Sequence, residues 1–169
     1  MKPLRPVVDA HYQKYKKSCS PSLIEIMLKR YELVSENYYA LQDKYQNDNV
    51  GLEHFGGETI EGLHIEQHNT GGGQSFVERI RKEYADGKMI GLYCITPGDP
   101  AEGRHGWIVE DIQGDQIKLL SKFSELGKGE GKDTAEPTWP IAGPGAITIT
   151  DVIVGTVQVP EPEEEDIGE

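Results

Sequence analysis

The sequence predicts an α+β fold: N-terminal helices, the first carrying a cysteine, packed on a C-terminal antiparallel β-sheet. Three observations carry this. Apolar residues at helical spacing stop at Gly87; beyond it come apolar runs separated by turn residues. Between HGWIVEDI and QIKLLSKF, the step Gln113-Gly114-Asp115 reads as a hairpin turn, which makes those two runs antiparallel.

The elements follow in order. A first helix is expected from about Ser18–Pro21 to Val34. Pro21 suits its first turn, where a missing N–H costs nothing. Leu23, Ile26, Met27 and Tyr31 form its apolar stripe. A second helix is expected from an N-cap at Ser35 to about Gln46. The stretch NDNVGLEHFGGETIEGL reads as turn and loop. A third helix follows GGG, with Ser75 as cap, Glu78 completing a capping box, and Phe76, Ile80 and Tyr84 on the buried side. Gly87 is its stop. KMIGLYCIT is then a buried strand, the hairpin follows, and AITITDVIVGTVQV adds one or two strands. With no internal repeat or linker, residues 1–159 read as one domain.

The 169 residues, 36% hydrophobic and 27% charged, are ordinary for a soluble globular chain. A net charge of −12 argues against nucleic acid as a partner. Part of the excess lies in residues 160–169, PEPEEEDIGE, read as a solvated, disordered acidic tail. No run approaches the ~18 apolar residues of a membrane span, and MKPLRPVVDAHYQ lacks the apolar core of a signal peptide. The expectation is a cytoplasmic protein, or one exported without a cleaved signal, with no membrane partner. Two cysteines make no disulfide framework.

Cys94, inside MIGLYCIT, reads as an inert core residue. Cys19 differs. It lies at a helix start, where free N–H groups and the macrodipole favour a thiolate, and Lys16 and Lys17 add positive potential. A histidine would complete a nucleophile–base pair. His105 opens a strand after the loop PGDPAEGR, and Gly106 leaves room beside it. Acyl transfer also needs oxyanion donors; the Cys19 N–H and the side-chain amide of Gln13 are candidates. Each of these residues alone has a bland reading, as a packing cysteine, a strand-end histidine or an exposed glutamine. Their order together points to a site.

Gln13, Ser18-Cys19 at a helix start and His105 beginning a hairpin resemble the papain-like cysteine peptidases. The layout is closest to compact bacterial members similar to bacteriocin leader peptidases. The resemblance covers residues 11–125 and rests on a few residues and their order. It implies a papain-like fold and hydrolysis of a peptide or isopeptide bond in a peptide or protein substrate, without a cofactor. Cys19 would attack, His105 act as base and then acid, and Gln13 help hold the oxyanion. The family's orienting Asp or Asn falls on Ser121, which carries no charge to stabilise an imidazolium; Ser124 and Glu125 are near it. That departure leaves open a weakened triad, a Cys–His dyad or a lost activity. Two other readings keep the fold: a glutamine deamidase or toxin, and a binding module without catalysis.

Trp107 shares the face of His105 by strand alternation and could cover the site, though core packing accounts for it equally well. His64 and His68 stand four apart in HIEQH without a third ligand, so no metal site is assigned. GGGQS lacks the Lys-Ser/Thr ending of a phosphate loop.

Overall fold

A computed structural model of the chain describes residues 1–69, 74–95, 105–120 and 138–158. The acidic segment 160–169 and Ser121, Ser124 and Glu125 lie outside them.

The chain starts with a helix that the sequence reading did not anticipate, α1 (Leu4–Ala10), which buries Leu4, Val7 and Val8. Pro6 does not break this helix. It falls in the first turn of α1, where the missing N–H has no helical partner to lose. Helix α2 (Cys19–Arg30) follows and is sunk: every residue from Ser20 to Lys29 is buried. It stops short of the expected Val34 because Glu32 turns left-handed (φ 62°) and Leu33 N–H closes back on Leu28 O at 3.0 Å. Helix α3 (Ala40–Tyr45) is shorter than expected at its start. Ser35 instead closes a separate turn, taking the Tyr38 N–H on its carbonyl at 3.1 Å.

The stretch read as turn and loop, residues 47–63, contains a 3-10 helix (Leu52–Phe55) and strand β1 (Thr59–Ile60), and its last residue opens β2 (Leu63–Asn69). Only Leu63 and Ile65 mark β2 as apolar, too few to stand out by alternation. Helix α4 (Gln74–Ala85) begins one residue before Ser75, which is therefore in its first turn and not its cap. Gly87 (φ 82°) ends it as expected, with Gly87 N–H on Tyr84 O at 3.0 Å. Then come β3 (Met89–Ile95), β4 (His105–Gln113), β5 (Gln116–Leu120), β6 (Thr138–Pro140) and β7 (Thr148–Val157). The β4–β5 turn is the expected one, with Gly114 at φ 58°.

The strands form one sheet in the order β1-β2-β7-β3-β4-β5-β6, each described pairing antiparallel. The fold is thus mixed helix and antiparallel sheet, as expected for α+β. The segregated order is corrected: β1 and β2 precede α4, and β2 joins the sheet between β1 and β7. Helices cover both faces. Leu23, Met27, Ile153 and Ile108 belong to a core under α1–α3, and Ile80, Leu92, Val109, Val152 and Val154 to a second one under α4. Alternation along β7 divides Val152 and Val154 from Ile153. Among the described residues no helix is long and apolar enough to cross a membrane.

Three strand glycines make the seat for α2. A Cβ on Gly91 would come within 3.2 Å of Met27 Cε, and one on Gly155 within 3.0 Å of Met27 Sδ. One on Gly106 would lie 2.9 Å from Leu23 Cδ1 and 3.0 Å from both Cys19 Sγ and Tyr93 Cε1. The helix can approach the sheet this closely only because these side chains are missing. Gly106→Ala is therefore expected to lower stability by about 1–3 kcal/mol through overpacking, read as a lower urea midpoint with an unchanged slope.

Candidate functional site

The seat at Gly106 brings the start of α2 against the start of β4. Cys19 is the first residue of α2, and its sulfur accepts hydrogen bonds from the Tyr93 hydroxyl and the backbone of Gly106. Burial pushes the Cys19 thiol above its ordinary value; the Tyr93 hydroxyl and the Gly106 backbone pull it back in part. The neighbour of Gly106 in the chain is His105, the first residue of β4, whose backbone pairs with Cys94 of β3. The backbone of His105 thus adjoins the residue that seats Cys19. Cys94 itself is fully buried in the second core, and burial pushes its thiol up to about 12.

Gln13 is buried, and its side-chain amide is engaged. Nε2 donates to Tyr15 O at 2.8 Å and to Lys16 O at 2.9 Å, folding the loop that leads into α2. Its Oε1 is buried without a hydrogen-bond partner among the described residues. Both amide hydrogens would have to leave these carbonyls before Gln13 could serve an oxyanion. Trp107 packs edge-on against Trp139, with ring centroids 5.8 Å apart, and lies partly buried against the second core. Gly106 meets α2 on the other face of β4. His64 and His68 sit on β2; His64 Nδ1 is 3.1 Å from Thr59 Oγ1, and the described residues contain no cluster of three metal-ligating side chains.

Sequence reasoning missed Tyr93. Its hydroxyl meets Ser20 Oγ at 2.5 Å as well as the Cys19 sulfur. The available signal was one tyrosine in the apolar run MIGLYCIT. Across from it on β7 lies Asp151, 7% exposed, with Thr150 Oγ1 donating to its Oδ2 at 2.9 Å. One acid in TITDVIV was likewise its only trace.

Also missed was a buried polar network that fixes the segment before Cys19. Gln42 Oε1 accepts from Lys14 N and from Ser18 Oγ, both at 2.7 Å, and Gln42 Nε2 donates to Tyr12 O at 3.1 Å. The same Nε2 donates to Glu25 Oε1 at 2.7 Å, while Glu25 Oε2 takes the Leu41 and Gln42 N–H groups, both at 3.0 Å. The α2 carboxylate thereby caps α3, the task the sequence reading gave to Ser35. Burial pushes the Glu25 carboxyl up to about 7, against the hydrogen bonds from Gln42, the charge of Lys29 and the Leu41 N–H. Lys29 Nζ lies 3.0 Å from His11 Nδ1 and 3.6 Å from the Tyr39 ring centroid. A lysine ammonium only donates, so His11 Nδ1 accepts and its Nε2–H points to Ser22 Oγ at 2.8 Å. Burial, then the Lys29 charge, hold His11 well below the usual histidine range. Burial brings Lys29 down to about 8, opposed by the carboxylates of Glu25 and Glu36.

No protein-family model, curated protein or solved structure matches the chain.

Lys29 gives the network a pH signature. The folded state releases the Lys29 proton near 8 and the unfolded chain near 10.5, so between these values the unfolded state binds more protons. Its contribution to stability is complete above the unfolded value and is lost as pH falls toward the folded one. Lys29→Met is expected to remove a rise of up to about 3 kcal/mol between pH 8 and 10.5. The check is urea unfolding of both proteins across that range.

Proposed function

We propose that the protein is a papain-like thiol hydrolase acting on a peptide or protein substrate, with Cys19 as nucleophile. One observation carries the reading. The Cys19 sulfur, at the start of a buried helix, is held against the backbone of Gly106, the residue next to His105. The pairing of a thiol at a helix N-terminus with a histidine at a strand start is the arrangement that activates a cysteine for acyl transfer.

In this reading His105 takes the Cys19 proton, and the thiolate adds to the substrate carbonyl carbon. The carbonyl electron pair moves to oxygen, and the oxyanion is held by the Cys19 N–H and the Tyr93 hydroxyl. Collapse expels the leaving amine, which receives the proton from His105. Water, deprotonated by the same histidine, then hydrolyses the thioester and restores the thiol. Tyr93 takes the place that the resemblance gives to Gln13, because the Gln13 amide hydrogens are bound to Tyr15 and Lys16 carbonyls. The imidazolium must outweigh the burial that pushes the thiol up.

Two observations favour the reading as a binding module without catalysis: the upward push on the Cys19 thiol and the engaged Gln13 amide. Incubation with p-nitrophenyl acetate separates the two. The hydrolase reading expects an acetyl group on Cys19 by peptide mass spectrometry, absent in Cys19→Ala. Tyr93→Phe should acetylate at least about tenfold more slowly, as expected for a lost oxyanion donor. A wild-type protein whose Cys19 acetylates no faster than Cys94 fits the binding module and rules out the hydrolase.

A further inference from the structure

On the side of α2 away from the sheet, α1 leaves a cavity of about 110 Å³. Pro3, Pro6, Val7 and Ala10 line its sides, and the nearly inaccessible Lys29 and His11 line it more deeply. Beside it, Lys2 Nζ and Glu36 Oε2 form an ion pair at 3.1 Å.

The surroundings of the Lys29 amine are unusual for a structural lysine. Its partners are an imidazole acceptor and an aromatic face, and no carboxylate of the described residues comes within ion-pair distance of it. A buried ammonium without a bound carboxylate is costly, so burial raises the share of the neutral amine, which is the nucleophilic form. Nothing in the thiol chemistry of Cys19 uses this group.

The charges around the cavity decide the ligand class. With the Lys29 amine in its neutral, attacking form, the charges left on the cavity wall are Lys2 and Glu36, which pair with each other. An anion or a cation would therefore gain little on entering. Apolar walls and proline rings suit a small apolar body, and an amine nucleophile suits an electrophilic carbonyl carbon.

We propose that the cavity between α1 and α2 is a carbonyl-binding site in which Lys29 captures a small, neutral, apolar aldehyde or ketone as a Schiff base. The amine lone pair forms the C–N bond, and the carbonyl electron pair moves to oxygen. A proton passes from nitrogen to oxygen to give the carbinolamine. Loss of water leaves the imine, so the aldehyde and amine give imine plus water with no change of oxidation state. His11 Nδ1, accepting from the amine, holds Nζ in place for the attack.

The test is butyraldehyde with cyanoborohydride at pH 7.5 on the folded chain, with labelled lysines read by peptide mass spectrometry. Lys29 is expected to label on the order of tenfold faster than the exposed Lys17 and Lys44, because more of it is neutral. Ala10→Phe, at an exposed position on the cavity wall, should slow Lys29 alone and leave the thermal midpoint unchanged. In 8 M urea all three lysines should label alike. Labelling of folded Lys29 no faster than Lys17 and Lys44 overturns the proposal. So does an Ala10→Phe variant that labels Lys29 at the wild-type rate. Neither result bears on Cys19, so the hydrolase reading stands or falls separately.

Discussion

A helix buried on all sides has to satisfy its own polar groups, and this constraint on α2 organises the rest of the molecule. Ser20, Ser22, Glu25 and Lys29 are carried into the core with Leu23, Met27 and Leu28. Each polar group draws in a partner from another element. Glu25 fixes the start of α3, Ser22 and Lys29 fix His11 after α1, and Ser20 holds Tyr93 of β3. Leaving any of these groups unpaired would cost about 1–3 kcal/mol, and more for a charge. The network therefore sets where α1, α3 and the 11–18 segment can lie.

The same burial positions the candidate site. An α-helix cannot ordinarily rest on a sheet at side-chain contact distance without large residues between them. Here Gly91, Gly106 and Gly155 remove those residues at the contact points. The end of α2 consequently meets the end of β4, and Cys19 lands on Gly106. Burial has an opposing effect on the thiol, because it disfavours the charge that a nucleophile needs. A hydroxyl, a backbone N–H and a helix N-terminus offset it, and the charge of an imidazolium would complete the offset.

Much of this was legible in the sequence, and the limits have physical causes. Strong apolar runs with marked turns, such as KMIGLYCIT and the Gly114 hairpin, read correctly because burial and turn chemistry are local. Helix α1 and strand β2 did not, since a seven-residue helix with a proline and a strand with two buried apolar residues owe their form to packing. Cys19 and the strand start at His105 could be picked out from position alone. The buried network could not. Glu25 and Lys29 at i and i+4 look like an exposed ion pair, and His11 and Gln42 look like surface residues, until α1 and α3 close over them. Tyr93 was hidden for the same reason, because its partners come from α2, far away in sequence.

The proposed function depends on activation of the Cys19 thiol by His105. The most direct measurement is the rate of iodoacetamide alkylation at Cys19 from pH 4 to 9, in the wild type and in His105→Ala, with buried Cys94 as the internal control. An activated pair gives fast Cys19 labelling that persists well below the ordinary thiol value of ~8.5 and that falls in the variant. Labelling that begins only near or above that value, and that is the same in both proteins, would contradict it.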